Sequence, residues 1–390
     1  MHLAAYYPWI YLHGGIERTL LELVSRSRHD WRVFTHHYEP ASTFEGMARL
    51  NIQELRRVDV ERTFGPVLGA ARRIAMQRLE LSGCQGLVVL CDGLGNLITF
   101  RNRSVPAIGL CFTPLRAAYD AVYEREALEK HSLAGRLAYA AFKRVFKVVD
   151  RRAWRNYAGI VAISSEVRRR IVEHRLYDPA RIRICHPGID WGAADAAGPY
   201  EPFLLLPGRM VWTKNIELAL RAFLRAALPP PWRLVVAGFV DRKSQPYLIW
   251  LRATAGTAAV EFVVNPSDAQ LAELYRRCAL VLFPPLNEDW GIVPLEAMAY
   301  GKLVLANASG GPLESVEDGR TGRLLPPSEQ AWAQAIQALV GDPELLVRMG
   351  QDARQQARRF DWSAFVAGVD DAIEEWVSAA GSAGARGMSR

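Results

Sequence analysis

Between Leu282 and Ser315 the chain reads LFPPLNEDWGIVPLEAMAYGKLVLANASGGPLES, and two of its carboxylates, Glu288 and Glu296, stand with seven residues between them. An apolar strand, Ala279 to Phe283, ends in the loop that carries Glu288. Gly291 then lets the backbone close on a ligand, and Pro294 is expected to open a helix with Glu296 in its first turn. Proline suits that first position because its φ is fixed and its missing N–H would have had no partner. The free N–H groups of Ile292 and Val293, at the positive end of the helix dipole, make a site for phosphate oxygens. A carboxylate in the same turn would repel phosphate, so Glu296 is expected to accept hydrogen bonds from hydroxyls. The two acids therefore read as a clamp on a nucleotide sugar, one near the sugar and one on the ribose. Upstream, Leu206-Pro-Gly-Arg-Met-Val-Trp-Thr-Lys-Asn215 follows another strand. Gly208 permits a tight exit, and Arg209 and Lys214 put two cations at the strand's C-terminal edge. Two cations there can neutralise a diphosphate leaving group, more strongly where water is excluded. The plainer alternatives are a capped helix with a solvated acid, and surface cations flanking a helix start.

The Glu288–Glu296 string resembles the Glu-x7-Glu signature of retaining glycosyltransferases of the GT-B fold, family 4. GIVPLEAMAYGK followed by SGGPLESV is most similar to the α-mannosyltransferases that build lipid-linked oligosaccharides and surface polysaccharides. The Leu206–Asn215 string resembles the Gly-Arg…Lys-Asn motif of the same family. That resemblance implies two Rossmann-like, doubly wound α/β domains facing across a cleft. It implies Arg209, Lys214 and the amides of Ile292 and Val293 as diphosphate ligands, with Glu288 on the sugar hydroxyls and Glu296 on the ribose. It further implies Gly15, within His13-Gly14-Gly15, close to the donor phosphates, Gly291 at the loop closure, and the base against Val264 and Asn265. Taken alone, Gly14-Gly15 is as well read as a tight turn.

One departure touches the chemistry. Gly109-Leu-Cys-Phe-Thr-Pro-Leu-Arg-Ala-Ala-Tyr-Asp120 is similar to a family segment that usually reads His-Thr-Pro, yet Phe112 stands where that His would be. The family His contacts the sugar hydroxymethyl group, and a phenyl ring supplies neither hydrogen bond nor proton. Either the sugar or acceptor differs, or another group such as His131 substitutes, or turnover is low. Arg116 belongs to the same segment. Asp92, ending a buried strand, could meet acceptor hydroxyls or form a plain turn, and Ser164 is read as a helix cap. The implied activity is transfer of a hexose, mannose from GDP-mannose, to a lipid-linked or polysaccharide acceptor. The alternatives are a UDP-sugar-dependent relative and a binding or complex-forming subunit with weak or no turnover. A phosphorylase would want a Lys for pyridoxal phosphate, and no motif offers one.

These residues need a scaffold. At 390 residues the chain suits two domains. Short apolar strands alternate with helical stretches in both halves, the mark of parallel sheets covered on both faces. Expected strands are His2–Tyr7, Trp31–Thr35, Gly86–Cys91, Ala107–Cys111, Gly159–Ile163 and Arg181–Cys185. The second half adds Pro202–Leu206, Trp232–Ala237, Val260–Val264, Leu280–Phe283, Leu303–Ala306 and Gly322–Leu324. The Pro-bounded stretch between Pro187 and Pro202 marks the boundary. The expected organisation is an acceptor-side domain over 1–190 and a nucleotide-sugar domain over 200–358. A helix over 359–380 returns to the first domain by the family resemblance, and a disordered tail covers 381–390.

Composition narrows the partners. Residues 1–200 hold 29 Lys and Arg against 20 Asp and Glu, and the remainder 19 against 21. A basic first half points to an anionic partner, membrane phospholipid or a lipid-phosphate acceptor. No nucleic-acid motif accompanies it, so nucleic acid is not expected. Within Leu133–Ala158, seven Lys and Arg alternate with apolar residues in a basic amphipathic pattern. That pattern suits an anionic membrane surface, or a packed helix with a solvated cationic face. Five scattered Cys with no CxxC spacing suit reduced thiols in a cytoplasm. There is no cleavable signal at MHLAAYYPW, no stretch of the roughly 20 apolar residues that span a membrane, and no Asp-x-Asp or His/Asp/Glu metal spacing. The expectation is a metal-independent, cytoplasmic enzyme without a cofactor, peripheral on the inner membrane face.

Overall fold

The computed structural model describes residues 1–58, 64–130, 132–190 and 200–387. The chain divides into two units: Met1–Pro187 with the segment from Trp362 onward, and Gly188–Asp361. The first unit holds β1 (His2–Tyr6), β2 (Trp9–Ile10), β3 (Asp30–Thr35), β4 (His37–Tyr38), β5 (Ile52–Glu54), β6 (Gly86–Cys91), β7 (Ala107–Cys111), β8 (Tyr157–Ala162) and β9 (Ile182–Ile184). Seven of these form a parallel sheet in the order β5-β3-β1-β6-β7-β8-β9, while β2 and β4 pair separately. The second unit holds β10 (Phe203–Pro207), β11 (Arg233–Gly238), β12 (Val260–Val264), β13 (Leu280–Phe283), β14 (Val304–Asn307) and β15 (Gly322–Leu325), ordered β12-β11-β10-β13-β14-β15. Both sheets thus start in the middle, wind outward one way, then return and wind the other. That reversal lies between β1 and β6 in one unit and between β10 and β13 in the other, and it is where doubly wound sheets bind ligands.

The strands are covered on both faces, so they read as continuous apolar runs rather than alternating ones. All six residues of β6 and all five of β10 are buried. Helix Ile216–Ala226 buries Ile216, Ala219, Leu220 and Phe223, spaced i, i+3, i+4, i+7 for one packed face. All twelve expected strands are present. The additional β2, β4 and β5 are two or three residues long, too short to print a periodicity in sequence.

The C-terminal helix spans Trp362–Gly387. It packs on the first unit, where Gly159 of β8 leaves the room its Trp376 ring fills. Asp370 accepts from the Ser27 hydroxyl at 2.8 Å and the Arg28 amide at 3.1 Å, and Arg28 reaches Asp371 and Glu374 at 2.6 and 2.7 Å. The helix runs to Gly387 through most of the stretch 381–390 expected as a disordered tail, and residues 388–390 lie outside the described residues. No proline interrupts Ala380–Gly387, and extending an existing helix avoids the nucleation cost, although Gly381 and Gly384 each weigh against it by about 1 kcal/mol.

A buried polar cluster ties helix Leu133–Trp154 to this first sheet. The Asp150 carboxylate, almost fully buried, accepts from Asn96 Nδ2, the Tyr119 hydroxyl and Trp154 Nε1, each at 3.0 Å. Burial nonetheless pushes its pKa from the ordinary 3.8 to about 6, the three donors opposing this only in part. The folded state therefore binds this proton more tightly than the unfolded chain does. The stabilisation is complete below about pH 4 and is lost as pH rises through about 6, on the order of 3 kcal/mol in total. Urea unfolding from pH 4 to 7 should show that decline, and Asp150→Asn should abolish this part of the slope. An unchanged slope in the variant would place the titration elsewhere.

Candidate functional site

Because β10 and β13 are neighbours, the loops leaving their C-terminal ends must meet. Gly208 turns the chain out of β10 with φ +131, and Gly238 at the end of β11 yields room, since a Cβ there would fall inside the Gly208 carbonyl. Lys214 then reaches across to the β13 loop, its Nζ 2.7 Å from Glu288 Oε2 and 6.0 Å from the Phe283 ring centroid. The side chains of Lys214 and Glu288 are 28% and 18% exposed, sheltered yet reachable. Asn215, in the left-handed conformation at φ +50, fixes the same crossing by donating to the Pro284 carbonyl at 3.1 Å. Lys214, expected on phosphate, and Glu288, expected on sugar, hold each other in this structure.

The Glu288 loop is backed from behind by the loop after β14. Asn307 donates to the Pro284 and Pro285 carbonyls, and the Gly311 amide donates to the Glu288 carbonyl at 2.9 Å. A Cβ at Gly310 would fall inside the Glu288 carbonyl, and one at Gly311 inside that of Trp290. Gly291, at φ +82, ends the loop and caps helix Ile292–Ala299. This corrects the expected helix start. Pro294 is the third helical residue, Glu296 lies beyond the first turn, and Gly291, the only residue type at ease there, sets the boundary. The correction favours the site, because Ile292 and Val293 are the first two helical residues and their amides have no partner within the helix. Glu296 Oε2 accepts from the Tyr275 hydroxyl at 2.8 Å, and Tyr275 stacks on Tyr300 with ring centroids 5.5 Å apart. Burial, reinforced by the Glu296 charge, drives the Tyr275 phenol well up, so it remains a neutral donor to that carboxylate.

Arg209 is exposed on the Lys214 loop. Its charge is one of the influences on Asp241, whose carboxyl sits below the usual range: burial opposes this, and hydrogen bonds from Ser244 followed by the Arg209 field outweigh it. Val264 ends β12, and Asn265 follows at φ +52. The Asn265 side-chain oxygen accepts from the Val240 amide at 2.8 Å, and Met210 N–H donates to Phe239 O at 2.9 Å. The loops after β10, β11 and β12 are thereby stitched into one rim, with Arg209, Val264 and Asn265 on it.

In the first unit the corresponding reversal brings Tyr7, just past β1, onto Asp92, just past β6, at 3.3 Å. Gly15 is the first residue of helix Gly15–Arg26, and a Cβ there would meet open space. Phe112 is buried beside the end of β7, its amide donating to the Cys91 carbonyl at 2.9 Å. Arg116 lies 3.6 Å from Asp120 and 5.6 Å from the Tyr123 ring centroid. Ser164 caps the next helix, accepting from the Val167 amide at 3.0 Å. His131 lies outside the described residues. Among the described residues no three His, Cys, Asp or Glu side chains are grouped to hold a metal ion. Tyr275, Tyr7 and Asn307 carry no readable sign of these contacts in the chain, whereas Gly208 and Gly291 do as loop glycines and Gly310-Gly311 stands inside the SGGPLESV string.

Over almost the whole chain the fold is that of the GT-B glycosyltransferases. Anabaena HepE, solved in complex with UDP and glucose, aligns with a TM-score of 0.70 at 18% identity, over 96% of this chain and 99% of that one. Sucrose-phosphate synthase from Thermosynechococcus elongatus aligns at 0.74 and 18% identity, over 97% and 100%. Residues 195–356, most of the second unit, match the family described as Glycosyl transferases group 1. Among curated relatives, D-inositol 3-phosphate glycosyltransferase from Nocardia farcinica is 34% identical over 54% of this chain and 51% of its own length. The α-1,3/1,6-mannosyltransferase ALG2 of Rhizomucor pusillus is 32% identical over 42% and 43%. The chain spans about half the length of the curated relatives it matches.

Proposed function

We propose that the protein is a retaining glycosyltransferase that moves a hexose, mannose from GDP-mannose, onto a lipid-linked or polysaccharide acceptor. The observation that carries this reading is the Lys214–Glu288 pair beside the free amides of Ile292 and Val293, at the β10/β13 reversal. Lys214, Arg209 and those amides take the charge that develops on the diphosphate. Glu288 holds sugar hydroxyls, and Glu296, already accepting one phenol hydrogen bond, takes the ribose. The base lies against Val264 and Asn265. The bond between the anomeric carbon and the diphosphate oxygen breaks, and the acceptor oxygen bonds that carbon on the same face. The acceptor proton passes to the departing phosphate, so the step needs neither a protein nucleophile nor a metal. Gly15, Asp92, Phe112 and Arg116 lie at strand ends and loops that serve the donor phosphates and the acceptor. The chemistry asks for no cofactor beyond the nucleotide sugar itself.

Peripheral attachment to an anionic membrane, on the cytoplasmic face, completes the reading. No helix among the described residues is long and apolar enough to cross a membrane. Helix Leu133–Trp154 carries no acid before Asp150, and it exposes Leu133 and Leu137 at 75% and 66% together with Arg144.

Thermal unfolding with GDP, UDP and ADP in parallel tests the donor. A nucleotide at a hundred times its Kd adds about 2.7 kcal/mol of stability, and GDP is expected to raise Tm most. A larger shift with UDP would transfer the donor assignment to UDP-sugars. No shift with any of the three would remove the nucleotide site.

A further inference from the structure

In the first unit, an open cavity of about 530 Å³ lies where helix Leu133–Trp154 ends, β8 begins and the helix Ser165–Glu173 stops. This is the N-terminal edge of β8, whereas Asp92 and Phe112 follow the C-terminal ends of their strands. Val172, Leu176 and Pro179 give the cavity an apolar lining, and Tyr177 is pinned beside them, its hydroxyl donating to the Tyr157 carbonyl at 2.8 Å. Arg155 and Arg175 line it too, and among the described residues neither guanidinium has an ion pair or hydrogen bond. Asp178 is the one acid in the lining, and its carboxylate already accepts from the Ala180 amide at 3.0 Å.

The surroundings add positive charge. Arg151 donates to the His174 carbonyl at 3.2 Å, Arg168 to the Pro179 carbonyl at 3.4 Å, and Arg181 to the Ala158 carbonyl. These arginines are held by carbonyls, which position them without neutralising them. Two helix C-termini point here, and their carbonyls disfavour an anion. Five arginines against two engaged carboxylates, Asp178 on the Ala180 amide and Glu173 on Arg169, outweigh that.

Arg175 is also the wrong residue for its backbone. Its amide bonds the Val172 carbonyl and that of Leu176 bonds the Ile171 carbonyl, at 2.9 and 3.0 Å, the two bonds of a Schellman helix end. The residue between them sits at φ +52, where glycine is at ease and a side chain is strained. The fold accepts that strain and places a guanidinium at the cavity.

We propose that this cavity binds the phosphate headgroup of an anionic membrane lipid, with Arg155 and Arg175 as ligands and the apolar lining taking the carbons next to the phosphate. The proposal rests on the peripheral membrane reading, since the cavity continues the cationic end of the helix that exposes Leu133, Leu137 and Val148. It concerns a site apart from donor and acceptor.

Flotation of the full chain with phosphatidylcholine vesicles, plain or doped with phosphatidylglycerol, tests it. Wild type is expected on doped vesicles only. Arg175→Gly should weaken binding tenfold or more while leaving Tm unchanged or raised, because glycine relieves the left-handed residue. Arg155→Gln should weaken binding similarly. Arg144→Gln removes the same charge outside the cavity and should cost about fivefold or less, the share of one cation near an anionic surface. Equal losses in all three variants would mean diffuse charge and overturn the cavity while sparing the membrane reading. Absence of wild-type binding would overturn both. Saturable binding of inorganic phosphate alone, lost in Arg175→Gly while vesicle binding persists, would assign the cavity to a free anion instead.

Discussion

Lys214→Ala is expected to lower kcat/KM for the nucleotide-sugar donor 10²-fold or more, the usual loss when one preorganised charge donor is removed from a developing anion. The pair with Glu288 explains why Lys214 should matter more than Arg209. In the resting site the Lys214 ammonium is 2.7 Å from Glu288 Oε2. On the proposed function, a diphosphate at the Ile292 and Val293 amides would draw the ammonium toward itself and release Glu288 to the sugar hydroxyls. Removing Lys214 therefore does two kinds of damage. The leaving group loses a cation, and the sheltered Glu288 carboxylate loses the ammonium that offsets its charge and so repels the incoming phosphates more strongly. Arg209→Ala removes only the first, since Arg209 is exposed and among the described residues makes no such pair. Glu288→Gln should leave nucleotide affinity near wild type, because Lys214 is freed, while lowering transfer through the lost sugar contact. Activity with intact donor and product-nucleotide binding, measured for all three variants, separates these roles. Wild-type turnover in both Lys214→Ala and Arg209→Ala would mean that the diphosphate is held elsewhere.

Much of this arrangement is legible in the chain itself. Strands buried on both faces announce themselves as apolar runs, so β6 and β10 could be read directly, and the glycines and prolines after them marked the ligand-bearing loops. The pairing of Lys214 with Glu288 could not be read, because the two stand 74 residues apart and meet only through the order β10-β13. Sequence spacing carries no trace of which strands become neighbours. Tyr275 was invisible for a similar reason. It lies on helix Asp268–Arg277, where an apolar aromatic residue reads as core, and its phenol finds Glu296 only after both helices pack. The helix start was misplaced by two residues because proline is tolerated throughout a first turn. The backbone conformation of Gly291 decided the boundary. Phe112 shows the opposite limit: its departure from the family pattern is plain in sequence, and in the structure it is a buried ring whose backbone joins the sheet.

Gly310→Ala should be among the most damaging single methyl additions in the second unit, because it sets a left-handed backbone against a backbone clash. Gly310 and Gly319 share a left-handed backbone, at φ +66 and +77, so alanine at either pays the same conformational cost of about 1–2 kcal/mol. Their surroundings differ completely. A Cβ at Gly319 meets nothing within 4 Å, whereas at Gly310 it falls inside the Glu288 carbonyl and close to the Glu288 amide, 3.0 Å away. No rotamer relieves a backbone clash, so the loop carrying Glu288 must retreat. That retreat strains the Gly311 amide bond to the Glu288 carbonyl and moves the carboxylate away from Lys214. Overpacking of this kind adds roughly 1–3 kcal/mol, so Gly310→Ala should cost about 3 kcal/mol and Gly319→Ala about half as much. The functional loss should exceed the stability loss, because a displaced Glu288 loop also shifts Gly291 and the two amides that follow it. Urea midpoints for both variants, read beside the nucleotide-induced rise in Tm, provide the comparison. Equal destabilisation with an unaltered nucleotide response would show that the close approach of these two loops does not hold the site in place.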